Sequence, residues 1–160
     1  MTAKCNLIID SCCDLPLSMV QREGVYLVEF PFLFDAEQHL DDFGVSMPAK
    51  EFYDRMRKGD FPTTSQISIP AYTEVFERVA QSGIPTVYLS FTAGLSSSYN
   101  SACQAADMVR EQYPDFEIYV VDNCSPCGAA GLLALEAVRQ RAAGLNAREL
   151  AAWANEAKRY

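Results

Sequence analysis

One segment of the chain, residues 84–102, combines a strand, a hydroxyl-rich loop and the start of a helix. Residues 84–91 form a run of mostly apolar, β-favouring side chains, which predicts a strand buried on both faces. Apolar residues then recur at helical spacing from Tyr99 to Tyr113, so a helix should follow. A buried strand that leads through a short loop into a helix is the building unit of parallel α/β domains, and this order therefore restricts the fold class.

The loop between that strand and helix is rich in hydroxyl side chains. Thr92, Ser96, Ser97, Ser98 and Ser101 supply five hydroxyls within ten residues. The first N–H groups of a helix have no partner within the helix, and the helix dipole adds positive potential there, so such loops bind anions. In the alternative interpretation, Ser97 or Ser98 only caps the helix. Five hydroxyls exceed what one cap requires, which favours a binding role.

Two other segments repeat the pattern of strand, polar turn and helix. Residues 6–10 and 116–122 are short apolar strands, each followed by small polar side chains. A helix is expected over roughly residues 15–23, with Asp14 or Ser11 as its cap. Because the carboxyl ends of parallel strands lie at one edge of a sheet, we expect the polar residues after these strands to converge there.

The last quarter of the chain predicts two helices. The first extends to about Ala143, and the apolar run at residues 129–135 predicts that it is well buried. Asn146 and Glu149 have the spacing of a capping box, so a final helix should begin there.

Residues 25–34 follow the first predicted strand and helix and form a long run of β-favouring side chains. Pro31 lies inside this run, which favours an edge strand or a bulge. Residues 35–44 are acidic and polar and predict a hairpin or another excursion from the sheet. They contain His39, the single histidine, which we expect to be solvated in a polar loop.

A second hydroxyl cluster lies farther along the chain. A short helix is predicted over residues 47–58, followed by the sequence PTTSQIS at residues 62–68. Ser68 as N-cap and Pro70 just inside predict that the next helix begins at this point. This loop is either a turn with a cap or a second group of ligand-binding hydroxyls.

Composition restricts the classes of function. The 160 residues suit one domain, and the net charge of −8 without a basic stripe argues against binding nucleic acid or an anionic membrane through phosphate contacts. No apolar run approaches the roughly 18 residues of a membrane span, and we expect no transmembrane segment or signal peptide. The six cysteines are then expected to be thiols in a reducing cytoplasm.

Four motifs together carry a resemblance to a known family. The sequences DSCCDLP, PTTSQIS, AGLSSSYNSA and VVDNCSPCGAAGLLALEA resemble, in order and spacing, the motifs of the DegV family. The resemblance covers essentially the whole chain but only the N-terminal half of the family. Residues 1–160 are therefore expected to be one DegV-like N-terminal domain, with the family's C-terminal domain absent.

This resemblance implies a three-layer α/β domain, with a mostly parallel sheet and helices on both faces, that binds one long-chain fatty acid. It also implies a possible partner, a fatty acid kinase subunit, which would carry the phosphoryl chemistry, so no catalytic residue, metal or cofactor is expected in this chain. The carboxylate-binding hydroxyls of the family correspond to Thr64 or Ser65 and to Ser96. The residues expected to support that site are Asp10, Ser11, Thr92, Ser97, Ser98, Asp122 and Ser125. Asp10 is expected to orient hydroxyls from behind the site, since a carboxylate touching the ligand would repel it.

Two departures from the family bear on this site. The family's Gly-Thr is replaced by Ser97-Ser98, which keeps a hydroxyl but makes the backbone less permissive. The basic and histidine contacts that the resemblance implies come from the family's second domain, so we expect no counterpart for them within residues 1–160.

Two other classes of function remain open from the sequence. Cys124 and Cys127, with Cys12 and Cys13, could form a thiol redox or metal site where strands end. A serine hydrolase would need a base beside its nucleophile, and His39 is the only histidine available. No Walker loop or G-x-G-x-x-G motif is present, which disfavours nucleotide binding.

Overall fold

The computed structural model of this protein describes residues 4–159. The strands are β1 (Asn6–Asp10), β2 (Val25–Val28), β3 (Pro31–Phe34), β4 (Glu37–Leu40), β5 (Thr63–Thr64), β6 (Thr86–Ser90) and β7 (Ile118–Asp122). The helices are α1 (Leu17–Val20), α2 (Ala49–Arg57), α3 (Ile69–Ala80), α4 (Ser98–Gln112), α5 (Cys127–Ala142) and α6 (Ala147–Ala157).

The central sheet is parallel, with strand order β2-β1-β6-β7. Its register pairs Ile8 of β1 with Tyr88 of β6, and Tyr88 in turn with Val120 of β7. All five residues of β1 and all five of β6 are buried, as expected for strands covered on both faces. The predicted fold class is confirmed, and the carboxyl ends of β1, β6 and β7 lie at one edge of the sheet.

Two hydrophobic cores lie on opposite faces of this sheet. On one face, Tyr72 and Phe76 of α3 pack with Ala102 and Ala106 of α4. On the other face, α5 and α6 contribute small and branched side chains, among them Leu150, which is fully buried. Full burial of one such leucine contributes about 1.5–3 kcal/mol, so the two cores together hold the helices on the sheet. This is the three-layer arrangement that the family resemblance implied.

A second, antiparallel sheet has the order β4-β3-β5. It arises because residues 25–34 do not form the single long strand that their composition favoured. Strand β2 ends at Val28, opposite Asp10, because its partner β1 ends there. Pro31 is the first residue of β3, which pairs with both β4 and β5, so the prediction of an edge strand or a bulge was wrong. A proline is tolerated at the first position of a strand, where it need not donate an N–H to the ladder. Residues 35–40 then complete a hairpin with β3, as one of the two sequence interpretations held.

The helix expected over residues 15–23 is only the four-residue α1. Its N-cap is Pro16, which makes no side-chain capping bond, and Asp14 has a positive φ of 53°. The Ser11 hydroxyl accepts a hydrogen bond from Phe30 N–H at 3.0 Å and caps no helix. The sequence prediction of a cap at Asp14 or Ser11 was therefore wrong.

His39 does not lie in a solvated loop. It is part of β4, directly opposite Phe32 of β3, and its ring stacks on Phe32 with 5.2 Å between centroids. Its Nε2 atom is buried and lies 3.7 Å from a carboxylate oxygen of Glu37. The polar composition of the segment concealed one inward-facing position of a strand.

The later helices follow their sequence signals more closely. Ser68 caps α3 by accepting a hydrogen bond from Ala71 N–H, and Asn146 and Glu149 form the predicted capping box of α6. Helix α5 differs from its prediction: it was expected to be well buried, but it is buried on one face only. A continuous apolar run must place some side chains outward at 3.6 residues per turn. Leu132 is 71% exposed as a result. Across residues 4–159, no helix combines the length and the apolar character needed to span a bilayer.

Candidate functional site

A cavity of about 950 Å³ lies between the carboxyl edge of the central sheet and the small antiparallel sheet. The segments after β1 and β6 supply Ser11 and Phe91, and helix α2 contributes Phe52. A volume of this size falls in the range of small-molecule sites, which run from about 300 to 1,000 Å³. The cavity is therefore large enough for a ligand of lipid size.

One wall of the cavity is aromatic. Phe32 meets Phe52 edge-to-face with 5.4 Å between centroids, and Phe30 meets Phe91 in the same way at 5.5 Å. Such pairs add about 0.5–1.5 kcal/mol each beyond area burial, so the wall is held in place without a ligand. Leu40, Met47 and Leu95 extend the apolar lining.

Another edge of the same cavity carries hydroxyl and amide groups. Thr64, Ser65 and Gln66 come from the segment that includes β5, and Ser96 and Ser97 come from the loop before α4. Strand β5 is positioned by pairing with β3, where Thr64 lies opposite Phe32. The structure thus brings the two sequence-predicted hydroxyl clusters to one cavity. We refer to these five residues as the hydroxyl edge.

The hydroxyl edge is connected to the protein interior through Ser98. The Ser96 and Ser98 hydroxyl oxygens lie 2.8 Å apart, and Ser96 Oγ also accepts a hydrogen bond from Ser98 N–H at 3.1 Å. Ser98 Oγ accepts a further hydrogen bond from Ile67 N–H at 3.0 Å. Ser97 occupies the N-cap position of α4 without a side-chain capping bond. Neither Ser97 nor Ser98 therefore acts as a simple cap.

Asp10 is 2% exposed at the end of β1. One carboxylate oxygen accepts from Cys12 N–H at 3.2 Å, and the other accepts from Phe91 N–H at 2.5 Å and from the Tyr88 hydroxyl at 3.3 Å. Burial raises the pKa of Asp10 to about 7, although these hydrogen bonds act to lower it. Asp10 therefore contacts a hydroxyl, but that hydroxyl belongs to Tyr88, which the sequence analysis did not single out as a site residue.

Of the remaining residues predicted to support the site, one lines the cavity and three lie outside its described lining. Ser11 lines the cavity, but Thr92, Asp122 and Ser125 do not belong to the described lining. The Thr92 hydroxyl accepts from Gly94 N–H at 3.2 Å, and the Ser125 hydroxyl donates to the carbonyl of Asn123 at 3.3 Å. Asp122 accepts hydrogen bonds from the N–H groups of Ala93 and Cys124. These three side chains order the loops at the sheet edge.

The charged groups of the cavity are acidic. Asp14, Asp41 and Asp42 line it, and none of the lining residues that the structure describes is Lys, Arg or His. Burial raises the pKa of Asp41. Burial also acts to raise the pKa of Asp42, but hydrogen bonds from Ser46 and Val45 outweigh this effect and lower it. An anionic ligand would therefore find its donors at the hydroxyl edge.

Three of the thiols at the strand ends, those of Cys12, Cys13 and Cys127, are poorly suited to nucleophilic or redox chemistry. Burial raises the pKa of Cys12, raises that of Cys13 to about 11 and, together with Asp14, raises that of Cys127. All six cysteines are free thiols. Within residues 4–159, no three Cys, His, Asp or Glu side chains come together as metal ligands would. These observations disfavour the redox and metal alternative.

The arrangement around Ser96 also disfavours a serine hydrolase. Its hydroxyl is paired with Ser98, and His39 lies against Phe32 outside the described cavity lining. Activation of a serine nucleophile requires a base within hydrogen-bonding distance.

The fold and the cavity together define a parallel α/β domain with an apolar pocket at the carboxyl edge of its sheet. A family model described as an uncharacterised protein of the DegV family matches residues 4–160, and the chain belongs to the DegV family. It is 33% identical over 152 residues to a DegV domain-containing protein of Clostridium perfringens, covering 95% of this chain and 52% of that protein. The chain spans about half the length of the curated relatives it matches.

Solved structures show the same similarity. A stearic-acid-binding protein from Eubacterium ventriosum has a TM-score of 0.84 and 32% identity, over 94% of this chain and 52% of that one. A DegV family protein from Thermus thermophilus, described by its fatty acid binding, has a TM-score of 0.81 and 26% identity, over 98% of this chain and 54% of that one.

Proposed function

We propose that this chain binds one long-chain fatty acid, with the acyl chain along the aromatic wall and the carboxylate at the hydroxyl edge. The observation that carries the proposal is the single cavity of about 950 Å³ that an aromatic wall and two hydroxyl clusters share. An amphipathic ligand with a long apolar tail and a compact anionic head matches a cavity that has an aromatic wall on one side and hydroxyl groups on another. The fatty acids bound by the two solved relatives support this ligand class.

The two parts of the ligand contribute differently to affinity. Burial of about fifteen methylenes gives roughly 12 kcal/mol before the costs of association, at about 0.8 kcal/mol each. A hydrogen bond from a neutral hydroxyl to a carboxylate contributes about 1.5–3 kcal/mol. The tail therefore dominates the affinity, and Thr64 or Ser65 with Ser96 fixes the orientation of the ligand.

The hydroxyl edge would leave the carboxylate of a bound fatty acid open to solvent. Thr64, Ser65 and Ser97 are exposed to solvent, and Leu95 beside Ser96 is 69% exposed. A carboxylate held at this edge is accessible to the active site of another protein. We infer that this chain is a binding protein of a reducing cytoplasm, and that a separate fatty acid kinase subunit phosphorylates the presented carboxylate.

Native mass spectrometry of the chain purified from bacteria tests the binding proposal. We expect a bound species heavier by the mass of one fatty acid of about sixteen to eighteen carbons, the tail length used in the burial estimate above. Gentle activation should release that mass as a carboxylate. A chain that carries no lipid, and takes up none when incubated with palmitate, would contradict the proposal.

A further inference from the structure

A continuous chain of hydroxyl contacts connects the buried Asp10 with Ser96 at the cavity. The Tyr88 hydroxyl lies 3.3 Å from Asp10 Oδ2 and 2.8 Å from the Tyr72 hydroxyl. Burial raises the pKa of Tyr72, a contact with the Ser98 side chain acts to lower it, and the Ser98 hydroxyl lies 2.8 Å from that of Ser96. Tyr72, Tyr88 and Ser98 are each 0% exposed, so these contacts are shielded from bulk water.

Each hydroxyl in this series has one proton and can donate only one hydrogen bond. If one hydroxyl donates toward Asp10, all the others must therefore donate toward Asp10 as well, and the same holds for the opposite direction. When Asp10 is ionised it can only accept, and Tyr88 donates to it. Tyr72 then donates to Tyr88, Ser98 donates to Tyr72, and Ser96 donates to Ser98. In this direction Ser96 has no proton left for a ligand and presents only lone pairs to the cavity.

Protonation of Asp10 permits the opposite direction. Asp10 donates to Tyr88, each hydroxyl donates to the next, and Ser98 finally donates to Ser96. The Ser96 proton is then free to point into the cavity and donate to a carboxylate.

The neighbouring groups allow this reversal. The N–H groups of Ile67 and Ser98 donate to Ser98 Oγ and Ser96 Oγ in both directions, because they use lone pairs and no hydroxyl proton. Ser90 also contacts the Tyr88 hydroxyl, but it gives its own proton to the carbonyl of Phe91 at 3.1 Å.

We propose that Tyr72 and Tyr88 are positioning residues that couple the binding of a carboxylate at Ser96 to the uptake of a proton by Asp10. The inference rests on the proposed function, because it requires that an anionic head group binds at Ser96. Since linkage is reciprocal, a bound carboxylate favours protonated Asp10, and protonated Asp10 favours the bound carboxylate.

The surroundings of Asp10 make its protonation accessible near neutral pH. Burial raises the pKa of Asp10, and the Asp41 carboxylate after β4 adds to this effect. The Tyr88 phenol from β6 donates to Asp10, and Asp10 in turn acts to raise the pKa values of Cys12 and Cys13. Of the side chains, Tyr88 and Asp41 act most strongly on its pKa, and neither carries a positive charge.

Calorimetry with decanoate in two buffers of different ionisation enthalpy tests the coupling. For the wild-type chain at pH 7.5 we expect uptake of more than about half a proton per decanoate bound, and an affinity that falls by up to about tenfold per pH unit above pH 8. In Tyr72→Phe the aromatic ring remains, but the series of hydroxyl contacts is interrupted at this position. Ser98 can then donate to Ser96 whether Asp10 is protonated or ionised. Decanoate should still bind this variant, with proton uptake reduced severalfold and little dependence of affinity on pH.

Tyr113→Phe is the matched control, because Tyr113 packs against the same core as Tyr72 and lies outside the hydroxyl chain. It should retain the wild-type proton uptake. Binding of decanoate without proton uptake, or equal uptake by wild type and Tyr72→Phe, would contradict the coupling while leaving the proposed function intact. Failure of the wild-type chain to bind decanoate would contradict both.

A titration of the wild-type chain gives a second readout that needs no variant. The ¹³C chemical shift of the Asp10 carboxyl should report a pKa that rises when decanoate is added. An unchanged pKa in the presence of saturating decanoate would overturn the inference.

Discussion

The buried hydroxyl of Ser98 accepts a hydrogen bond from the backbone N–H of Ile67 at 3.0 Å, across 31 positions of the sequence. This bond joins the loop of Thr64 and Ser65 to the loop of Ser96. Both loops line one cavity, so the hydroxyl edge is assembled from two segments that are held together behind it.

Removal of this connection should destabilise the protein. In Ser98→Ala the Ile67 N–H is buried without its partner, which costs about 1–3 kcal/mol. The free energy of unfolding in urea should fall by that amount. Ser97→Ala is the matched control, because Ser97 is exposed and makes no side-chain capping bond, and its change should stay within about 0.5 kcal/mol. Equal stability of the two variants would contradict the role of Ser98.

Ser96→Ala should affect ligand binding more than stability. Loss of one donor to a carboxylate should weaken binding of palmitate by about tenfold or more, while stability falls by about 1 kcal/mol or less. Ser18→Ala on α1 is a suitable control, because Ser18 is exposed and does not line the cavity. Unchanged palmitate affinity in Ser96→Ala would show that Ser96 has only a structural role.

The stability of the protein should depend on the protonation of Asp10. Its pKa is about 7 in the folded state, mainly because of burial, but about 4 in the unfolded chain. Between these values the folded state keeps a proton that the unfolded state has released, so the free energy of unfolding decreases as pH rises from about 4 to 7. The total effect is at most about 4 kcal/mol.

Urea unfolding of wild type and Asp10→Asn across this pH window measures the contribution. The neutral amide cannot ionise, so the stability of Asp10→Asn should decrease less with pH than that of the wild type. Parallel pH profiles for the two proteins would show that Asp10 is not the group responsible.

The cysteines should all be titratable as thiols. The pKa values of Cys12, Cys13 and Cys127 are raised, so these thiols ionise less readily to the thiolate that reacts with oxidants. Titration under denaturing, non-reducing conditions should count six thiols. A count of four or two would indicate a disulfide and would favour the redox alternative.

Sequence patterns were sufficient where one local signal decided the structure. The uninterrupted apolar runs predicted β1 and β6, and Ser68 and Asn146 located the starts of α3 and α6. Parallel topology then implied that the loops after the strands converge. The patterns could not show which long-range contacts each polar side chain makes there.

Sequence patterns missed the roles of Tyr72 and Tyr88 and misplaced His39 for the same physical reason. Tyr72 occupies an apolar position in the helical period of α3, and Tyr88 lies in a buried strand, so both are indistinguishable from ordinary core residues until their hydroxyls meet at 2.8 Å. His39 was assigned to solvent from the polarity of its neighbours, but the register with β3 turns it onto Phe32. Such positions depend on strand pairing, which local composition does not encode.

A crystal structure of the chain with palmitate tests the central claim most directly. The account predicts the acyl chain along the wall of Phe32 and Phe52, and the carboxylate within hydrogen-bonding distance of Ser96 Oγ and of Thr64 or Ser65. A carboxylate bound elsewhere would contradict it. So would Thr64 and Ser96 hydroxyls more than about 10 Å apart, too far for one carboxylate to bridge.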